Sequence, residues 1–404
     1  MPLGIYISVP FCRTKCSYCN FASDVFSRAV FERYVDRVCN DIQDASQVAA
    51  EVGGQMEREV DSIYLGGGTP TVLEAAQLER IFATVRSQFT VKAEAEITVE
   101  CAPGTLTFTM LESLLRCGVN RASLGVQSFV DQEAASVGRL HKRATVLDDI
   151  TRLRDAGITN INFDLIAGLP HQTAESWEFS LAETIATGAG HVSVYMLEID
   201  DESRLGREVM AGGTRYHAHF VPDEEAVADF YLGACDRLQS AGIAQYEISN
   251  FAREGRESRH NLKYWTRHPY LGFGVDAHSM LYSATTDFDA VRFAPADSLE
   301  RYMAAAVLQP GSISRSAALE EHFFLGLRLT QGVNLEDLAA KFGDETVERY
   351  QATISESVAD GLLEQLGRIL RLTSRGRLLS NEVFERFLLG DETLDHAGTI
   401  HSAL

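Results

Sequence analysis

The sequence predicts an α/β protein: a parallel sheet in the first half, followed by a smaller, mostly helical module. Three observations predict it. Six short apolar runs alternate with amphipathic stretches, polar and glycine residues collect at the trailing end of each run, and the alternation stops near residue 230.

The runs are GIYISV (Gly4–Val9), SIYLGGG (Ser62–Gly68), EITVEC (Glu96–Cys101), RASLGVQSF (Arg121–Phe129), NINFDLIAG (Asn160–Gly168) and HVSVYMLEI (His191–Ile199). Several are rich in β-branched residues, as strands are. Between them, TFTMLESLLRCG and ATVLDDITRLRDAG carry helical periodicity and close on a glycine, a common helix stop. Six strand–helix units imply a parallel sheet with right-handed crossovers. Six is too few for a closed eight-stranded barrel, which leaves an open partial barrel or a doubly wound sheet. Either form places ligands at the C-terminal ends of its strands, and here those ends read PFCRTKCSYC, GGGTP, ECAPG, GVQSF, DLIAGLP and EIDDES.

Beyond residue 230 the segment YEISNFAREGRESRHNLKYWTRHPYLGFGVDAHSM reads as a loop with histidine and aromatic residues, suited to binding. From about Asp297 helical runs return. GLLEQLGRILRLTSRGRLLSNEVFERFL (Gly361–Leu388) then reads as helix end, two-stranded turn and helix, like a small winged-helix module. The expected division is therefore residues 1–230, a connecting segment 231–296, and a C-terminal domain 297–404.

A chain of 404 residues can bury a full core without covalent staples. No apolar run approaches the roughly 20 residues of a membrane span, and the first fifteen residues lack a secretory pattern, so a cytoplasmic protein is expected. A formal net charge of −21 repels phosphodiester backbones, which argues against a nucleic-acid partner and against a DNA-reading use of the C-terminal module. Seven cysteines is an odd number, and three of them, Cys12, Cys16 and Cys19, lie within eight residues of one loop. That pattern belongs to metal chemistry in a reducing compartment rather than to a disulfide framework. Cys39, Cys101, Cys117 and Cys235 are scattered and read as structural thiols.

Three thiols form either a zinc site lacking a ligand or an iron–sulfur cluster with one iron not held by protein. Zinc sites usually pair two separated C-x2-C halves, and no second half exists here. A cluster needs a ligand at each iron, so three thiolates leave one iron open to an exchangeable group.

The spacing C-x3-C-x2-C, with Tyr18 before the last cysteine, resembles the radical S-adenosylmethionine (SAM) superfamily. The resemblance implies a partial (β/α)6 TIM-type barrel and a 4Fe-4S cluster on Cys12, Cys16 and Cys19. It also implies SAM at the open iron, where one electron yields a 5′-deoxyadenosyl radical. YISVPFC, GGGTPT, VEC, GVQSF, GRLH and FDLIAGLP resemble, over nearly the whole chain, the oxygen-independent coproporphyrinogen III oxidases and their relatives. This narrower resemblance implies that Tyr6, Tyr18, Gly67, Gly68, Thr69, Glu100, Gln127, Arg139 and Asp164 hold the cofactor. Arg139 suits the methionine carboxylate, and Gln127 and Asp164 suit the ribose hydroxyls.

The oxidases carry a fourth cysteine two residues after the third, where this chain has Phe21, and an N-terminal extension that is not seen here. Both differences resemble the HemW-type haem chaperone branch, as does HNLKYW. The resemblance implies that His260, Asn261, Tyr264 and Trp265 bind haem, with His260 an axial ligand. By their chemistry, the flanking cations Arg259, Lys263 and Arg267 suit the propionates, and His278, in GFGVDAHSM, is a second candidate ligand. It implies transfer of haem to acceptors such as membrane respiratory proteins, with peripheral membrane contact. Oxidative decarboxylation of coproporphyrinogen III stays open as the alternative.

Overall fold

In a computed structural model that describes residues 1–304, 308 and 310–389, the six predicted runs are strands: β1 (Leu3–Val9), β2 (Glu59–Gly67), β3 (Thr90–Cys101), β4 (Arg121–Gln127), β5 (Asn160–Ala167) and β6 (His191–Met196). Each pairs in parallel with the next, from β1 through β6. Strictly sequential order decides between the two predicted architectures. A doubly wound sheet reverses its order at a switch point, whereas sequential right-handed crossovers send every helix to one face and curve the sheet around the other. This is the partial-barrel arrangement, and the sheet stays open, ending on the short strand Ala244–Gln245 at one edge and Gly311–Ile313 at the other.

Alternation along the strands divides the two faces. Ile5, Ile7, Ile63, Leu65, Val99, Leu124, Phe163 and Leu165 are fully buried and face the helical layer, each stabilising the fold by about 1.5–3 kcal/mol. The other face is polar. Register places Tyr6 beside Tyr64, Tyr64 beside Thr98, and Thr98 beside Arg121; the row above pairs Glu100 with Ser123, Ser123 with Asn162, and Asn162 with His191.

The segment 246–280 is not the loop its composition suggests. It contains β8 (Asn250–Ala252), the helix Arg259–Trp265 and β9 (Tyr270–Phe273), and ends inside β10 (Ser279–Tyr282). β7 (Ala244–Gln245) pairs with β8, which lies antiparallel on β6, and β9 adds to the free side of β1 in parallel. β10, β11 (Ala290–Phe293) and β12 (Gly311–Ile313) extend that side. Edge pairing, which depends on long-range register and not on local pattern, is why these short strands escape a reading of the sequence.

The chain divides into two units. Met1–Thr285 and Ala290–Ser312 form the first, so the expected connecting segment 231–296 lies largely inside the sheet-bearing unit. The second comprises Thr286–Asp289 and the described residues from Ile313 onward. It holds a helix at Arg315–Gly326 and a three-stranded antiparallel sheet of Val333–Asn334, Ile369–Leu372 and Leu363–Leu366, followed by short helices at Ser374–Leu378 and Ser380–Glu385. Of the helix end, two-stranded turn and helix expected over 361–388, the turn corresponds to the antiparallel strands Leu363–Leu366 and Ile369–Leu372, and the helix to the two short helices after them. Among the described residues no helix is long and apolar enough to cross a membrane.

Candidate cluster and cofactor site

The three-thiol loop leaves β1 at its C-terminal end and is fastened from several sides. Cys12 N–H donates to the Asp24 carbonyl at 3.0 Å, and Asp24 N–H to the Pro10 carbonyl at 2.9 Å, which closes the loop on itself. The Lys15 ammonium donates to the carbonyls of Phe21 and Ser23, both at 2.7 Å. Ser17 N–H reaches the Val137 carbonyl at 3.1 Å, and Leu205 N–H donates back to Ser17 at 2.8 Å. Tyr18 packs against the apolar cluster of Val137, Ile166, Leu169, Leu205 and Ala218 and anchors the loop. Phe21, where the oxidases have a cysteine, is 67% exposed.

The neighbours of the thiols are hydrogen-bond donors. Arg139 Nη1 lies 3.6 Å from Cys16 Sγ, Thr69 Oγ1 3.9 Å from Cys12 Sγ, and Ser23 Oγ 3.9 Å from Cys19 Sγ. Burial raises the Cys12 thiol, while the Ser23 and Thr69 hydroxyls lower it. Donors to sulfur tune a cluster's potential as well as its stability. No group of three or more His, Cys, Asp or Glu among the described residues converges on a point that a single ion would occupy.

The GGGTP turn after β2 lies against the root of this loop. Gly68 N–H donates to the Val9 carbonyl and Thr69 N–H to the Phe11 carbonyl, both at 2.8 Å. A Cβ on Gly68 would sit 2.8 Å from the carbonyl oxygens of Val9 and Phe11, so only glycine lets the turn approach so closely. Gly67 sits at φ +97°, a region that favours glycine.

Glu100, Gln127, Arg139 and Asp164 occupy the same C-terminal strand edge. Arg139 donates to the Gly125 carbonyl, while its Nε and Gln127 Oε1 are buried without partners. Two such atoms at one edge are what a site for a polar ligand requires. Gln127 also holds φ +60°, uncommon for a residue with a side chain, and that turn directs it at the end of β4. Burial, with Asp164 nearby, raises the Glu100 carboxyl to about 7, although it accepts a hydrogen bond from Tyr64 Oη at 2.9 Å. Burial also raises Asp164, against bonds from Ser123 Oγ at 3.1 Å and Asn162 Nδ2 at 2.7 Å. These residues fit the amino-acid and ribose ends of a SAM molecule: a guanidinium, carboxylates, an amide and a glycine cradle around three thiols.

HNLKYW lies elsewhere. Its helix is capped by Ser258, and Glu96 accepts from the Arg259 and His260 backbones at 3.2 and 3.0 Å. The His260 ring is 1% exposed, at the N-terminal end of the strands. Its Nδ1 meets Ser62 Oγ at 3.0 Å and its Nε2 meets Tyr264 Oη at 2.8 Å; the Tyr64 ring lies 5.4 Å away. Burial, with Lys263 and Arg121 nearby, lowers the imidazole to about 3. In this fold the expected axial ligand has no open nitrogen. The cations expected beside propionates are also engaged: Lys263 pairs with Asp61 at 2.7 Å, Arg259 donates to the Glu94 carbonyl, and Arg267 is 2% exposed. Asn261, Tyr264 and Trp265 are half-buried, and His278 lies 3.7 Å from Asp276.

Sequence reasoning missed Tyr64 and Arg121. Tyr64 links the two ends of the barrel, touching Glu100 above and His260 below, with Tyr6 at 6.2 Å. Arg121 is 1% exposed in the polar interior and its Nε has no partner. The period-two polar spacing of Ser62, Tyr64 and Gly66, against Glu96, Thr98 and Glu100, was the available signal.

Residues 6–183 match the radical SAM superfamily and residues 313–379 the HemN C-terminal domain. The chain is 33% identical to the haem chaperone HemW of Lactococcus lactis and 31% identical to that of Escherichia coli, each over 96% of this chain and 98% of the relative. Among solved structures it is similar to coproporphyrinogen III oxidase (HemN) from Escherichia coli, with a TM-score of 0.81 and 23% identity over 96% of this chain and 90% of that one.

Proposed function

We propose that this chain, which belongs to the radical SAM superfamily and within it to the family of the haem chaperone HemW, binds haem and passes it to haem-requiring acceptor proteins. The observation that carries the reading is the three-thiol loop with Phe21 in place of a fourth cysteine, within a chain related to the chaperones from end to end.

Cys12, Cys16 and Cys19 hold a 4Fe-4S cluster in this reading. Tyr6, Gly67, Gly68, Thr69, Glu100, Gln127, Arg139 and Asp164 hold SAM beside it. When bound, the cluster and SAM together supply one-electron chemistry. The residues of the chain orient: Arg139 faces a carboxylate while lying against Cys16, and Glu100, ionised above about pH 7, offers a negative charge to a cationic ligand. Tyr18 fixes the loop through its apolar packing.

The experiment is anaerobic. The reconstituted protein is titrated with haem and then mixed with a haem-free cytochrome, followed through the Soret band of each. Stoichiometric binding followed by transfer supports the chaperone reading. Protoporphyrinogen formed from coproporphyrinogen III in the presence of SAM and reductant would replace it with the oxidase reading, which the fold similarity to HemN accommodates.

A further inference from the structure

In the proposed function Gln127 is one of the residues that hold SAM, with its amide suited to the ribose. That amide is placed by an unusual backbone. The chain turns at φ +60° where β4 ends, and Gln127 Oε1 is buried without a partner. An amide oxygen only accepts, so a hydroxyl donor is what it lacks. A Cβ on Gly125 would lie 3.2 Å from Gln127 Nε2 and 2.5 Å from Arg139 Nη2, so the amide and the guanidinium share the space that this glycine leaves. A left-handed turn at a residue with a side chain persists only where its surroundings over-determine it.

Those surroundings are a buried polar clamp. Ser128 Oγ, next to Gln127, donates to Glu133 Oε2 at 2.6 Å and accepts from Val130 N–H at 2.9 Å. Phe129 N–H donates to Ser180 Oγ at 3.2 Å, on the helix Ala174–Ala186. On the other flank, the Val126 carbonyl accepts from Ser128 N–H at 2.8 Å, with His141 Nε2 3.1 Å away.

Glu133 also reaches the next strand. Gln172 Nε2 lies 3.4 Å from Glu133 Oε2 and donates to the Ile166 carbonyl at 3.1 Å, while Gln172 Oε1 accepts from Gly168 N–H at 2.6 Å. One carboxylate oxygen thus ties the exit of β4 to the exit of β5, the strand that carries Asp164. Glu133 is 1% exposed, and its Oε1 is buried with no partner. A carboxylate with one oxygen unsatisfied in the interior costs stability, which an apolar residue at this place would not. What it supplies instead is a strong acceptor, since hydroxyl bonds to a carboxylate are short, about 2.5–2.7 Å.

We propose that Glu133 is a positioning residue of the cofactor site, a role that rests on the SAM reading of Gln127: through Ser128 and Gln172 it holds Gln127 in the left-handed turn that aims its amide at the ribose. Glu133 touches no ligand itself. The serine of GVQSF and the glutamine that follows GLPH become parts of one clamp.

The test is calorimetric titration of the full, cluster-loaded chain with SAM, comparing wild type with Glu133→Ala, Gln127→Ala and the double variant, with cluster absorbance and thermal unfolding recorded for each. Glu133→Ala should weaken SAM binding about fivefold or more, the scale of one ordinary hydrogen bond, with cluster absorbance intact. Because Glu133 acts through Gln127, the double variant should bind SAM no worse than Gln127→Ala, whereas independent losses would multiply. Glu133→Gln, whose amide oxygen still accepts from Ser128, should recover most of the affinity. Ser128→Ala cuts the clamp and leaves Glu133 in place; made alone and together with Gln127→Ala, it should repeat the loss and the non-additivity, and it decides the question if Glu133→Ala does not fold. Lower thermal stability with wild-type SAM affinity overturns the positioning role, and so do losses that multiply with that of Gln127→Ala. Wild-type affinity in Gln127→Ala overturns the SAM reading of Gln127 itself, and the positioning role falls with it.

Discussion

Replacing His260 with alanine tests the role of HNLKYW most sharply. The imidazole is 1% exposed and bonds Ser62 Oγ and Tyr264 Oη at 3.0 and 2.8 Å. Ser62 is itself fully buried, so its hydroxyl is left without that partner, at a cost of about 1–3 kcal/mol. The second lost bond and the cavity bring the total to roughly 4 kcal/mol at pH 7.5. That loss should shrink in acid. The folded protein holds His260 neutral down to about pH 3, whereas the unfolded chain takes up its proton near 6.5. The unfolded state thus binds more protons between those values, and wild-type stability falls as pH drops through that window, by about 1.4 kcal/mol per unit. At pH 5, some 1.5 units below 6.5, about 2 kcal/mol of the His260 contribution is gone, and the difference between variant and wild type narrows to about 2. Urea unfolding followed by tryptophan fluorescence at pH 7.5 and pH 5 measures both values, and haem titration of the folded variant should give a wild-type Soret band. A stability difference that is small and independent of pH, combined with loss of the Soret band, would refute the buried-anchor account and restore His260 as a ligand.

Cys12→Ala, Cys16→Ala or Cys19→Ala should each abolish the visible charge-transfer absorbance of the reconstituted cluster, while Cys39→Ala and Cys101→Ala retain it; anaerobic spectra with iron and sulfide analysis decide. Arg139→Ala and Asp164→Asn should each weaken SAM binding by at least about tenfold through loss of a charge-assisted bond of about 1.5–3 kcal/mol, measured by calorimetry with the cluster intact. Since burial raises Glu100 to about 7, SAM affinity should be level above that pH and fall toward tenfold per unit below it as the carboxylate is protonated; Glu100→Gln should flatten the profile.

Much of this protein is written locally in its sequence. Six strands are legible from Gly4–Val9 to His191–Ile199 because each is a short apolar run between helical periods. The thiol loop and the GGGTP turn are legible because metal ligation and close backbone approach demand particular residues at fixed spacing. Even the order of groups at the strand ends could be read, since parallel α/β sheets expose that edge. The tertiary structure alone decided the rest. HNLKYW has the residue types of a haem motif, but burial is not a property of residue type, and packing against Ser62, Tyr64 and Glu96, more than 160 positions away, turns His260 inward. β9 joins β1 across the chain for the same reason: strand pairing is settled by register with a distant partner. His171 and His217, separated by 46 positions, become neighbours only when the loop after β5 meets the turn at Arg215–Phe220. No local pattern specifies such a meeting, because it depends on where crossover connections of different length return the chain to the same edge.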